Sequence, residues 1–388
     1  MPRFYRSKPN KYEAPSFQKL WEPLERILLH VPLLKSRGDR PLQMDFEEQL
    51  KVLVFFHLEE HKSARQLIQV LNEDEFARET IAPEAGIQKS SFSEAINTRG
   101  LEQLQYVFQQ LQQQATELLP KAHQQLGNLV AIDGSLINAV LSMHWADYRE
   151  GAKKAKIHLG FDLNRGIPSK IHLTDGKGGE RPFVEQILTP GQTGVIDRGY
   201  QSHELFDSWR KHDFKFVCRV LAKTQKTVIQ EHAVEPNGVV FYDAIVLLGT
   251  PGVNQTKENI RLIGYRINRK NYWVATNRFD LSAEQIASIY KLRWEIENFF
   301  AWWKRHLKVY HLIARSEYGL LVQIFAGLIT YLLLAIYCHE QHSEKVNIRR
   351  VRELKIKIQN EARNPQHNGT KNKVLKEQKY YYQDGAKT

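Results

Sequence analysis

The change of period at residue 128 constrains the fold of this chain more than any other feature of its sequence. "LVAIDGSLI" is a short apolar run ending in an acid, and "KIHLGFDL" and "IPSKIHLTDG" are strand-like runs joined by an "NRG" turn. "ERPFVEQIL" has helical spacing, and "TGVIDRGY" reads as a second buried strand ending in an acid. "SHELFDSWRKHD" is helical behind a Ser cap, and "FKFVCRV" closes as a strand. Three strands, helix, strand, helix, strand is the order of an α/β protein. An antiparallel start is extended by β-α-β units into a mixed sheet with helices packed on it.

Other segments frame that sheet. Residues 40 to about 125 repeat apolar residues at three-and-four spacing, as in "MDFEEQLKVLVFFHLEEHKSARQLIQVL" and "LEQLQYVFQQLQQQATELL". Between these lies "APEAGIQKSSFSEAINTRG", with a Gly turn, Ser90 and Ser91 as caps and then a short helix, which is the pattern of a helix-turn-helix. In residues 221–277, "KTVIQ", "GVVFYDAIVLLG", "IRLIGYRI" and "NYWVATN" are strand-like and separated by Gly, Pro and Asn turns. They predict a β-rich insertion standing apart from the mixed sheet. "DLSAEQIASIYKLRWEIENFFAWW" then returns to helix behind Ser282. The run "GLLVQIFAGLITYLLLAIY" (319–337) approaches membrane-spanning length. It holds Gln323, Gly327 and Thr330, and is expected to be a buried core helix with no role in a membrane.

Charge narrows the class of partner. The chain has 388 residues, a formal net charge of +12 and a pI near 9.4, which favours an acidic polymer. Residues 1–19 carry five Lys/Arg against one acid, and residues 345–388 carry twelve against four, so the excess sits at the two ends. Such ends suit arms that follow a nucleic-acid backbone. Two cysteines, Cys218 and Cys338, exclude a disulfide framework and point to a reducing compartment. The start "MPRFYRSKPNKYEAP" lacks the apolar region of a secretory signal.

Asp133 and Asp197 each follow a run that is apolar on both faces, which puts an acid at the sheet edge, where sites form. In "YKLRWEIENFFAWWKRHL" (290–307), one continuous helix would align Tyr290, Arg293, Glu297 and Lys304 on a stripe roughly 60° wide. Leu292, Ile296, Phe299, Phe300, Trp303 and Leu307 fall on a separate apolar arc. Three converging carboxylates repel unless a cation sits between them. Mg²⁺ suits such a site, because it takes a few carboxylates and leaves positions for phosphate oxygens. Arg293 and Lys304 could each bind a phosphate. Trp303 belongs to the core by its arc, while Trp294 and Trp302 lie nearer the edges. Arg198 could orient Asp197 or meet DNA. Asp162 reads as a hairpin residue, and Asp147, Asp175 and Glu180 are weaker acid candidates. "DGKGGE" lacks the Gly-Lys-Ser/Thr of a P-loop, and "CHEQH" lacks a second ligand pair for zinc.

Tyr290, two residues, Arg293, three residues, Glu297, six residues, Lys304 is similar to the Y-(2)-R-(3)-E-(6)-K signature of bacterial insertion-sequence transposases of family four. "AIDGS" and "VIDRGY" stand in the expected order, and the resemblance covers roughly residues 40 to 345. It implies an RNase H-like catalytic domain in which Asp133, Asp197 and Glu297 form a DDE triad binding two Mg²⁺ ions, with Mn²⁺ as an alternative. It also implies that Tyr290, Arg293 and Lys304 contact the transposon-end backbone, and that the N-terminal helices recognise terminal inverted repeats. Double-stranded DNA, as element ends and as target, would be the partner of a homodimer in a paired-end complex in the bacterial cytoplasm, at the nucleoid. The expected domains are a helical DNA-binding domain (1–125), the catalytic domain in two parts (126–220 and 278–345) around the β-rich insertion (221–277), and a basic tail (346–388). Two rivals share these features: a nuclease of the same fold without strand transfer, and a transposase-derived DNA-binding protein without catalysis.

Overall fold

The computed structural model describes residues 14–34, 42–84, 86–138, 147–149, 152–307 and 311–363. Most of the two basic ends, and the segment "NPQHNGTKNK", lie outside the described residues. The chain forms two compact units, one from Met1–Ala115 with Arg305–Thr388 and the other from Thr116–Lys304.

The first unit is helical. It opens with α1 (Pro15–Leu28), α2 (Phe46–Leu58), α3 (Ala64–Glu73), a short π-helical turn, α4 (Lys89–Thr98) and α5 (Leu101–Leu118). Asp45 starts α2 with a reciprocal cap, accepting from the Glu48 N–H while the Glu48 carboxylate accepts from its own. Ser90 and Ser91 are not caps. Gln88 holds the cap position of α4 with no side-chain bond, and the helix begins at Lys89. Its far end is closed by the buried Gln49, whose amide donates to the Ala95 and Arg99 carbonyls at 3.3 and 3.2 Å. Gly100, at φ +87°, takes the left-handed turn that follows.

The second unit is a single ten-stranded sheet with helices on both faces. Its elements are β1 (Asn128–Asn138), β2 (Asp147–Arg149), β3 (Ala152–Asp162), β4 (Ile167–Asp175), α6 (Val184–Ile187), β5 (Gln192–Ile196), α7 (His203–Lys211), β6 (Lys215–Arg219), β7 (Lys226–Glu231), β8 (Val240–Leu248), β9 (Ile260–Ile267), β10 (Lys270–Thr276), α8 (Ala283–Leu292) and α9 (Trp294–His306). The strand order is β2-β3-β1-β5-β6-β10-β9-β8-β7, with β4 also paired to β3. β3 runs antiparallel to β1, whereas β5 and β6 add parallel strands on the other side. This is the antiparallel start and β-α-β extension expected from the run order.

The strands of residues 221–277 do not stand apart. β10 pairs antiparallel with β6, so β7 to β10 continue the same sheet. Local period cannot reveal this, because strand pairing is a non-local choice. Val130, Ile132, Ile196, Phe216 and Cys218 pack with Phe206 and Trp209 of α7 on one face. The opposite face takes α8 and α9, as in the Phe161–Phe299 ring contact at 5.0 Å. Asp162 is a hairpin residue, as its place in the sequence predicts. One of its oxygens accepts from the Asn164 and Arg165 N–H groups, and Gly166 follows at φ +76°.

The chain then returns to the helical unit with α10 (Glu317–His342) and α11 (Ile348–Arg363). α10 is long and apolar enough to cross a membrane, and it lies buried against α1, α2 and α4. Its one buried amide is fully used. Gln323 accepts from the Ile313 N–H and donates to the His311 carbonyl, at 3.0 and 2.9 Å. His57 of α2 lies between the carbonyls of Leu307 and Gln323, at 2.6 and 3.2 Å.

Candidate active site

The register of β1 with β5 pairs Ala131 with Val195. Two residues further along stand Asp133, still within β1, and Asp197, the residue after β5, whose charge raises the Asp133 carboxyl. Ile132 and Ile196 belong to the core against α7. By strand alternation the two acids therefore face α8 and α9.

Asp133 does not end its strand. β1 runs on to Asn138 against β3, and "DGS" stays extended although its composition is that of a turn. What ends near this point is the pairing of β1 with β5, whose last pair is Ala131 with Val195. Gly134 permits the extension through space, not through torsion. A Cβ there would lie 2.6 Å from Cε of Lys156 and 2.7 Å from a Glu180 oxygen.

Glu297 reaches the same place from the helices. The chain is not one helix across this stretch. α8 ends at Leu292, and Arg293 forms a tight turn, its N–H donating to the Tyr290 carbonyl at 3.1 Å, before α9 starts at Trp294. Tyr290 thus sits on α8, and Glu297 and Lys304 sit on α9. The stripe survives the break, since the Arg293 guanidinium lies 5.8 Å from the Tyr290 ring and bonds to Glu297. The same guanidinium lies 3.8 Å from a carboxylate oxygen of Asp133. Among the described residues no three His, Cys, Asp or Glu side chains gather closely enough to hold one metal ion. Arg293 lies between Asp133 and Glu297.

Lys304 donates to Oγ of Ser135 and, at 2.8 Å, to the Leu136 carbonyl, which places its ammonium on β1 just past Asp133. Burial lowers it to about 8, against the pull of Asp133. Burial raises the Asp133 carboxyl to about 6. Arg293 and the Gly134 N–H hold it down, while Asp197 and Glu180 push it further up. Asp197 accepts from the Gly199 N–H at 2.7 Å, and Arg198 projects into solvent. Trp303 is fully buried, as its arc predicts, whereas Trp294 is 63% exposed.

Two participants do not stand out in the sequence. Glu180, a weaker acid candidate by its local context, is ion-paired with Lys156 and lies over Gly134 and Gly199. Its signal is the glycine-rich "DGKGGE", which turns at Asp175 and delivers the acid to the strand ends. Tyr200 is fully buried, its hydroxyl has no partner, and burial together with Glu180, Asp133 and Asp197 holds it far above the usual phenol range. Asp175 serves its own turn by accepting from the Lys177 N–H. Asp147 falls in β2.

On this mixed sheet Arg293 joins an acid of β1 to an acid of α9, and Lys304 stands beside them. A family model described as a transposase DDE domain matches residues 124–333. The chain is 30% identical over 207 residues to the "Probable transposase for insertion sequence element IS5377" of Geobacillus stearothermophilus, covering 53% of this chain and 54% of that protein. It is 26% identical over 216 residues to a Synechocystis protein named for insertion sequence element IS4SA, covering 53% and 59%. The chain thus spans little more than half the length of these relatives. A solved piggyBac transposase synaptic complex with hairpin DNA superposes with a TM-score of 0.44 at 12% identity, covering 91% of this chain and 81% of that one. The chain belongs to the transposase DDE domain family.

Proposed function

We propose that this chain is a DNA transposase that cuts the ends of its element and joins the freed 3′ ends to target DNA, in cut-and-paste fashion. The observation that carries this reading is the adjacency of Asp133 and Asp197 on parallel strands, met from the helix pair by Arg293 and Glu297. The strand order, with β1 between an antiparallel and a parallel neighbour, supports an RNase H-like catalytic fold.

Transposases of this family use divalent metal ions. The donor set fits a hard cation, since every candidate ligand is a carboxylate oxygen, and a buried Asp133 beside two other acids needs positive charge to stay ionised. Asp133, Asp197 and Glu297 would hold two Mg²⁺ ions, or Mn²⁺ in their place. When bound, such ions stabilise charge on the attacking and leaving oxygens of a phosphodiester displacement. The side chains do the rest. Arg293 gives its planar guanidinium to a backbone phosphate, Lys304 supplies a second cation past Asp133 and Arg198 a third, while Tyr290, expected from the sequence to touch DNA, is buried and backs the Arg293 guanidinium. Water is the first nucleophile and the freed 3′-hydroxyl the second.

The helices of residues 1–125 recognise terminal inverted repeats, two copies of the chain hold the paired ends, and the reaction takes place in the bacterial cytoplasm. Cleavage and joining are tested on a plasmid carrying the gene with its natural flanks, comparing wild type with Glu297→Gln, in Mg²⁺ and in chelator. Metal-dependent excision and joined products, absent in Glu297→Gln, are the expected result. Binding without cutting by the wild type would leave the DNA-binding rival in its place, and cutting without joining would leave the nuclease.

A further inference from the structure

An open groove of about 910 Å³ lies in the sheet unit, between the start of α7, the loop after β8 and the residues that follow Asp197. Arg181, Arg198, Lys211 and Lys257 line it, and all four are exposed. Among the described residues none of them is ion-paired to a carboxylate. Arg181 only donates its Nε–H to the Gly199 carbonyl, at 3.3 Å. Two acids also line the groove. Asp207 is buried and spent, because its oxygens accept from the Lys257 and Glu258 N–H groups at 2.9 to 3.1 Å. That leaves exposed Glu204 against four unpaired cations. A wide polar trough with spaced cations on a helix and an anchored loop matches a polyanionic backbone, not an apolar peptide or a compact metabolite.

Its position says which polyanion. Tyr290, Arg293 and Lys304 approach the acids from the α8/α9 face. The groove is built on α7, which packs on the other face, and its lining includes Arg198, the residue after Asp197. A reaction that joins two DNA molecules at one set of acids needs two separate paths to them. We propose that this groove seats the sugar-phosphate backbone of target DNA, the molecule that receives the transferred 3′ end. This rests on the chain's being a transposase, and adds to it a second DNA path that shares only Arg198 with the contacts proposed above.

The test uses the full chain with Lys211→Glu/Lys257→Glu, and separately Glu204→Lys. Two quantities are read: joining of pre-cut ends to a labelled target duplex, as a ratio to end cleavage by the same protein, and the salt dependence of target-duplex binding to the end complex. The charge reversals are expected to lower the joining ratio about tenfold and to flatten the salt slope by about two, one for each phosphate no longer neutralised. Glu204→Lys is expected to raise both, a gain that misfolding cannot imitate. An unchanged ratio in active variants overturns the proposal. So does a loss of end cleavage with intact joining of pre-cut ends, which would assign the groove to donor flank. A wild-type chain that neither cuts nor joins would instead sink the transposase reading itself, and the groove assignment with it.

Discussion

Two buried polar clusters, one in each unit, are treated in opposite ways. Around α10, Gln323 uses its amide in both directions on the backbone, and His57 lies between two carbonyls. Around Asp133, the Tyr200 and Tyr290 hydroxyls and the Nε–H of Arg293 are buried without partners, and Asp133 itself is crowded by other acids. An orphaned buried polar group costs about 1–3 kcal/mol, which favours satisfying those that serve the fold. Groups left strained or unpartnered mark a place where the fold gives up stability for chemistry.

The largest effect that could break this contrast is on activity. Asp133→Asn should lower end cleavage on the order of a thousandfold, as when one charge-stabilising group is removed from a reacting centre. It should leave the melting temperature level or higher, because the costly buried carboxylate is gone. A large loss of stability would mean that Asp133 is structural.

Next comes acid sensitivity. Burial lowers His57 to about 4 in the folded chain from an ordinary 6.5. Between those values the unfolded chain binds the extra proton, so the contribution is complete above pH 6.5 and is lost as pH falls toward 4. That loss is about 3 kcal/mol, and His57→Gln should flatten this part of a urea-denaturation pH series. A series as steep as wild type would remove His57 as its cause.

The smallest effect is expected for Gln323→Leu. It orphans the Ile313 N–H and the His311 carbonyl and should cost about 2 kcal/mol in urea unfolding, with cleavage per folded molecule unchanged. Reduced cleavage at full stability would show that the contrast between the units is too sharply drawn.

Much of the sheet was legible because strands buried on both faces read as continuous apolar runs. The order of runs anticipated β1 and β3 to β6 but not the short β2, and Asp133 and Asp197 come near each other because β1 and β5 are parallel and in register. The Ser202 and Ser282 caps were visible for the same local reason, each accepting from the third N–H of its helix. What escaped was non-local or depended on space. The break at Arg293 is a single tight turn inside an unbroken helical period, with no Pro or Gly to announce it. "DGS" has turn composition, yet pairing with β3 holds it extended. The adoption of β10 by β6 and the delivery of Glu180 to the strand ends depend on partners far away in the chain. Those partners leave no periodic trace.

The pairing of β10 with β6 has a mechanical consequence. The chain leaves the sheet after β6, makes three further strands, and comes back to be clasped by the strand it left. Arg278, directly after β10, then bonds the Leu126 carbonyl and the Thr193 hydroxyl at 3.1 and 2.8 Å, riveting the exit to the roots of β1 and β5. The helices that carry Glu297 therefore spring from a bracket fixed to the same strands as the first two acids. Lengthening or trimming the hairpin turns of β7 to β9 alters an outrigger and leaves the bracket where it was, so the outer strands are free to change without moving the third acid.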